Sequence, residues 1–319
     1  MSKAYEPIVY TKKNKTFELP RPQAPLIDTH AHLLSFWDRD PVDALVRAGR
    51  AGVAGIVTLY DPVADTEKLA DAGAFSVWLR ARLSDAAAAG TDMPCRYLAG
   101  VHPYGAAEYT GAVHAQIEAA LADPLCAGVG EIGLDYHFDA DDDIEAAPHD
   151  LQMQVMARQL ELACARNVPV ELHIRNDNGD EARVAHRDCL AVLREVGIPA
   201  AGCVLHCFGE DRATMEAFVE LGCHIAFGGA ATFKRNEAVR EAFAACPLDR
   251  ILFETDCPYM APEPIRGLEC EPAMIAQTAD VLLYDRADRT GELPAQMAQR
   301  VLQNSRELFF ATEAIDDRA

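Results

Sequence analysis

The sequence predicts an α/β protein, a (β/α)8 barrel in a single domain with a short N-terminal arm. Three observations carry that expectation. First, short apolar runs rich in β-branched residues recur near 26–30, 53–60, 96–102, 126–132, 168–174, 202–207, 223–228 and 250–256. Second, stretches with helical spacing lie between them, such as HDLQMQVMARQLELACAR (149–166) and EDRATMEAFVELG (210–222). Eight strand–helix units in about 290 residues match the count and size of such a barrel. Third, polar residues interrupt the apolar runs at their C-terminal ends, the face on which barrels of this kind build their sites.

In chain order, residues 1–24 form an arm containing Pro7, Pro20 and Pro22 with a local basic excess. It is expected either to lie on the domain or to be disordered. Residues 25–312 form the barrel, without a composition shift that would mark a second domain, and 313–319 form a C-terminal tail. The acidic DADDD at 139–143 and the stretch 285–293 read as surface loop insertions.

Composition narrows the function classes. A chain of 319 residues with 50% hydrophobic content can bury a large core. It contains no run of about 18 apolar residues that would suggest a membrane helix. The stretch MSKAYEPIVYTKKNK lacks the apolar centre of an export signal. The ten cysteines include no CxxC pair, and several sit inside strand-like runs, so they read as reduced, buried residues of a cytoplasmic protein. The net charge of −21 excludes an extended basic face for long polyanions.

The chemistry begins at LIDTHAHL. Alternate side chains of a strand face the same way, so His30 and His32 project together with Asp28 behind them. Two imidazoles so placed can converge on one metal ion at roughly 2.0–2.1 Å; they can equally form a hydrogen-bonded pair, and the rest of the chain must decide. Further polar residues end the later runs: His102, then Glu131 and Asp135, His173 and Arg175, His206, and Glu254 with Asp256. Clustered on one rim, they would need mutual compensation. Four histidines plus Glu131 and Asp256 are too many for a mononuclear catalytic zinc site but suit two ions sharing a bridging carboxylate. Two divalent ions, less two carboxylates and a hydroxide, leave about +1, which favours an anionic substrate such as a phosphodiester.

The motifs DTHAHL, GVHPY, GEIGLDYH, VELHIRN, LHCFGE, FGGAATFKRN, ETDCPYMAPEPIRG and QNSRELFF, spread from Leu26 to about Phe310, together give a specific signature. The chain resembles the TatD family of metal-dependent deoxyribonucleases, within the metal-dependent hydrolase group of TIM barrels. The resemblance implies one divalent ion (Mg²⁺, Mn²⁺ or Zn²⁺) held by His30, His32, Glu131 and Asp256. It implies a second held by Glu131 as bridge with His173 and His206. Asp256 would also handle the proton of the attacking water, with Glu131 its catalytic companion. Two departures stand out: Cys270 replaces the usual Asn in RGLECEPAM, and Cys257 adjoins Asp256.

The expected activity is hydrolysis of phosphodiester bonds, a DNase with 3'-5' exonuclease-like action on single-stranded or free DNA ends. His102, Arg175, Lys234 and Arg266 are the candidate substrate contacts; for the three cations an ordinary surface salt bridge is the alternative. Two to four phosphate contacts are expected. Phe208, Phe233, Tyr136 and Tyr259 could stack on bases or simply pack loops. Glu171 shares a face with His173 and adds an inward charge without an evident purpose, while Glu254 either supports the site or ion-pairs within the barrel.

Three rivals compete. One is a barrel hydrolase of amides, lactones or phosphotriesters with a carboxylated lysine; the chain has no lysine between Lys68 and Lys234. The second uses the same site on another ester, such as an aminoacyl ester of tRNA or a small phosphoester. The third is a metal-retaining binding subunit without activity.

Overall fold

The structure, a computed structural model, describes residues 7–137 and 147–311. The 139–143 stretch and the 313–319 tail lie outside the described residues. An antiparallel hairpin, β1 (Val9–Lys12) and β2 (Lys15–Glu18), opens the described chain. Its Tyr10 hydroxyl donates to Glu271, which also pairs with Arg39 and Arg47, and this tethers the hairpin beside the barrel.

The barrel strands are β3 (Leu26–Ala31), β4 (Val53–Tyr60), β5 (Cys95–Ala99), β6 (Cys126–Asp135), β7 (Val170–Arg175), β8 (Cys203–Leu205), β9 (His224–Phe227) and β10 (Ile251–Phe253). They form one eight-stranded parallel sheet in sequence order. The first and last strands meet just beyond β10: Asp256 N–H donates to His30 O at 3.0 Å, and His32 N–H to Cys257 O at 2.7 Å. The interleaved helices are α1 (Val42–Arg50), α2 (Ala72–Ala88), α3 (Gly111–Ala120), α4 (His149–Arg166), α5 (Val184–Val196), α6 (Arg212–Glu220), α7 (Glu237–Ala245), α8 (Ile275–Thr290) and α9 (Pro294–Phe309).

Local signals explain the boundaries. Asp71, Thr110 and Asp211 cap α2, α3 and α6 by accepting from the N–H three residues on. Asn167 and Gly291 end α4 and α8 in the left-handed conformation. Strand alternation sorts the core. Ile251 and Phe253 pack outward toward the helices, while Leu252 joins Ile27, Val57, Leu59, Leu98, Val204 and Ala226 in the barrel interior. Phe309 and Phe310 close that interior at its N-terminal end.

Two expectations need correction. Residues 285–290 are not a loop insertion but the last turns of α8. Three of their charges are paired: Arg286 is buried and donates to the carbonyls of Phe243 and Cys246, and Arg289 pairs with Asp285 and Glu237. Several strands also end earlier than the apolar runs suggest. His102, His206, Glu254 and Asp256 stand on the loops that follow β5, β8 and β10, where tertiary contacts fix the backbone. Among the described residues no helix is long and apolar enough to cross a membrane.

Candidate metal centre

At the C-terminal end of the barrel lies a cleft of about 1330 Å³. Its base gathers six side chains from five places in the sequence. His30 is on β3 and His32 follows it; Glu131 lies in β6 and His173 in β7; His206 and Asp256 follow β8 and β10. Glu131 sits centrally. Its Oε1 is 3.4 Å from His32 Nε2, and its Oε2 lies 3.9 Å from His30 Nε2, 3.3 Å from His173 Nδ1 and 3.0 Å from His206 Nε2. Asp256 Oδ1 faces the first histidine pair, 3.7 Å from His30 Nε2 and 3.5 Å from His32 Nε2. His30, His32 and Asp256 form one convergent donor group; Glu131, His173 and His206 form another.

The long strand β6 reaches this layer because glycine lets it press against β7. Gly133 has φ +149°, and a Cβ there would lie 2.0 Å from the carbonyl oxygen of His173. Asp256 itself adopts φ 55° and Cys207, next to His206, φ 47°, so both loop turns are held by their surroundings.

The outer nitrogens of His173 and His30 are hydrogen-bonded, whereas that of His206 has no hydrogen-bond partner among the described residues, Glu254 Oε1 accepting from Cys207 N–H instead. His173 Nε2 is 3.0 Å from Asp135 Oδ2, His30 Nδ1 bonds Glu171 Oε1, and His206 Nδ1 lies 3.8 Å from Glu254 Oε1. With carboxylates accepting from the outer nitrogens of His30 and His173, it is their inner nitrogens that offer lone pairs when the rings are neutral, a tautomer assigned from these partners. Those inner nitrogens stand 3.0 Å from His32 Nε2 and 3.1 Å from His206 Nε2 respectively. Lone pairs of neighbouring imidazoles and two carboxylates converging on one space form a nitrogen–oxygen donor set that fits divalent cations.

Without a cation, the histidines and carboxylates of the cluster offset one another. Burial alone would raise Glu131 and Asp256, but the surrounding histidines hold Glu131 well below, and Asp256 below, the usual carboxylate range. Burial depresses His30 to about 4 and His102 to about 3, and lowers His206. For His32 and His173 burial is outweighed by the carboxylates, Asp256 and Glu131 for the first, Asp135 and Glu131 for the second, and they rise to about 9 and about 10. Burial pushes Glu171 up to about 8 and Asp28 to about 7. Asp28 does not reach the donor groups; it accepts from the N–H and hydroxyl of Thr255 and ties β3 to the turn after β10.

The candidate substrate contacts separate. His102 and Arg175 line the cleft. His102 Nδ1 accepts from Tyr104 N–H at 3.2 Å, so its neutral ring carries hydrogen on Nε2, and the ring stands edge-on to His173. Lys234 and Arg266 do not line the cleft; Arg266 lies over the Phe233 ring, 4.2 Å from its centroid. Among the aromatic candidates, Tyr259 is 50% exposed at the mouth and edge-on to His32. Phe208 lines the cleft yet is buried against Phe227, and Tyr136 is buried in a stack on His149. Cys257 and Cys270 are buried and belong to neither donor group. The sequence reading missed Arg183, Asp61 and Asp65 as cleft residues, and Asp135 as the partner of His173.

Comparison with known proteins agrees with this geometry. Residues 27–310 match the family model described as TatD related DNase. An uncharacterized metal-dependent hydrolase TatD from Mycobacterium tuberculosis is 32% identical over 287 residues, covering 89% of this chain and 97% of that protein. A Pantoea vagans protein named 3'-5' ssDNA/RNA exonuclease TatD is 31% identical over 220 residues, 67% of this chain and 78% of that one. Among solved structures, YjjV, a TatD homologue from Escherichia coli, superposes with a TM-score of 0.69 at 27% identity, covering 90% of this chain and 98% of its own. The eight-stranded parallel barrel, its rim of histidines and carboxylates, and these matches over nearly its whole length show that the chain belongs to the TatD family of metal-dependent hydrolases.

Proposed function

We propose that the chain hydrolyses phosphodiester bonds at single-stranded or free nucleic-acid ends, in the 3'-5' direction, with two divalent ions at the base of the cleft. The observation that carries this reading is the position of Glu131, one carboxylate within 4 Å of four histidine nitrogens drawn from two separate pairs. His30, His32, Glu131 and Asp256 would hold one ion, and Glu131, His173 and His206 the other. Ions bound there supply Lewis acidity toward the phosphoryl oxygens and lower the pKa of an attacking water toward 7.

The remaining work falls to side chains. Asp256, ionised and at the edge of the donor set, is placed to accept the proton of the attacking water. The Nε2–H of His102 and the guanidinium of Arg175 would bind phosphoryl oxygens and hold the scissile group against the centre. Tyr259 gives the terminal base a ring to lie on. The test is metal-free protein reconstituted with Mg²⁺, Mn²⁺ or Zn²⁺ and assayed on end-labelled single-stranded DNA, duplex DNA and RNA. Single nucleotides released from a labelled strand support the reading; no cleavage with any ion removes it.

A second reading has one observation in its favour. The cleft is lined by carboxylates, among them Asp61, Asp65, Glu108, Asp180 and Glu210, against two arginines, Arg175 and Arg183. That balance suits an ester bearing an ammonium group, such as an aminoacyl ester, better than it suits a long polyanion. Release of amino acid from an aminoacyl-tRNA, with oligonucleotides left intact, would establish it instead.

A further inference from the structure

Beneath the convergent donors the barrel interior holds two more acids, Glu171 and Glu254, both fully buried. Each leaves Oε2 without a hydrogen-bond partner among the described residues. Above them the rings of His30 and His206 stack in parallel, with centroids 3.9 Å apart and planes 8° apart. Glu171 Oε1 bonds His30 Nδ1, across 141 residues of sequence. Folding alone gives little reason for this acid. It lies among His30, His206 and Glu254, and an apolar side chain of similar size would avoid the cost of burying a second carboxyl beside Glu254.

We propose that Glu171 is a positioning residue for the metal centre: its carboxylate accepts the Nδ1–H of His30, fixes the ring so that Nε2 faces the cation, and strengthens that nitrogen as a ligand. The inference rests on the metal-centre reading above and adds a residue to it. Ligating histidines commonly donate their outer N–H to a carboxylate, and removing that partner typically costs 10–100-fold in metal affinity. The geometry at His30 is of this kind, and Glu171 is the group that supplies it. The same acid is a cost to the metal-free fold, where it is fully buried beside Glu254 and leaves Oε2 without a partner among the described residues. Cation binding reverses that balance.

This opposition makes the proposal testable with zinc alone as the probe. Zinc affinity and stoichiometry are measured by competition with a chromophoric chelator for wild type, Glu171→Gln and Glu171→Leu, and thermal midpoints are recorded for each metal-free protein. Gln is nearly isosteric, and its carbonyl still accepts from Nδ1–H without the charge. Affinity for one of the two ions should fall about 10-fold in Gln and up to about 100-fold in Leu. The metal-free Gln variant should meanwhile melt no lower than wild type. A residue that merely fills space would leave Gln equal to wild type, or lower affinity and melting point together, and either result overturns the proposal. Should Leu fail to fold, the Gln variant and the ring ¹⁵N spectrum of zinc-loaded wild type decide. Hydrogen on His30 Nδ1 supports the proposal and hydrogen on Nε2 refutes it. Wild type that takes up no divalent ion would instead bring down the metal-centre reading itself, a result distinct from equal affinity in all three proteins.

Discussion

His173 turns Nε2 toward the Asp135 carboxylate, 3.0 Å away, and leaves Nδ1 facing Glu131 at 3.3 Å. His30 does the reverse, with Nδ1 on Glu171 and Nε2 inward. Opposite ring nitrogens thus face one space because each ring is held from behind by an acid on another part of the barrel. Asp135→Asn weakens the hold on His173 without altering side-chain size. Metal titration should show one site weakened about 10-fold or more while the other is unchanged. Equal loss at both sites would mean Asp135 supports the cleft as a whole.

Glu131 touches both histidine pairs, so Glu131→Ala should reduce bound metal at both positions and abolish turnover. Elemental analysis after dialysis checks this. Full occupancy in the variant would show that the carboxylate does not bridge.

Asp256→Asn keeps an oxygen donor but removes the charge and the proton acceptor. It should retain part of its metal and lose roughly 10²–10⁴-fold in kcat, the usual scale for a general base. Turnover near wild type would leave Asp256 a purely structural ligand.

How much of this was legible beforehand follows from the type of information each feature needs. His30, Glu131, His173, His206 and Asp256 could be read as one cluster because a barrel puts all strand C-termini on one rim and strand alternation sets which side chains face inward. The roles of Asp135, Glu171 and Glu254 were not legible, since they depend on which ring nitrogen meets which carboxylate across neighbouring strands. Lys234 and Arg266 sit in loops whose course the pattern does not fix, and Arg266 finds Phe233 rather than the cleft. The helical course of 285–290 was not legible because the partners of Arg289 and Arg286, Glu237 and the carbonyls of Phe243 and Cys246, are set by tertiary contact.

Gly133 offers a test of the scaffold rather than the chemistry. With φ +149° and a virtual Cβ 2.0 Å from His173 O, alanine forces β6 away from β7. Gly133→Ala should destabilise by about 3 kcal/mol or more and displace His173 from Glu131. Thermal unfolding together with metal content checks both effects. A variant that melts like wild type with full metal would show that β6 can shift without disturbing the centre.

The last prediction concerns the net charge of −21, which sits awkwardly with a polyanionic substrate. Screening at physiological salt acts over about 8 Å, so acidic outer helices matter little to a phosphate deep in the cleft. What matters is the lining. Arg175 and Arg183 are its two arginines among the described residues, and Arg183 is already paired with Glu210 and Asp211 at 2.6 and 2.9 Å. One or two flanking phosphates can therefore be neutralised by side chains, fewer than the two to four expected when Lys234 and Arg266 were counted. At about −0.7 per phosphate on single strands, log Kobs against log salt should slope about −0.7 to −1.4. Binding of a short single-stranded oligonucleotide to metal-loaded Asp256→Asn at several salt concentrations measures it. A slope steeper than about −3 would demand a basic track that the described residues of the cleft do not form. A shallow slope, with Arg175→Gln flattening it further, would assign the flanking contact to Arg175 and restrict the protein to the few nucleotides beside the scissile bond.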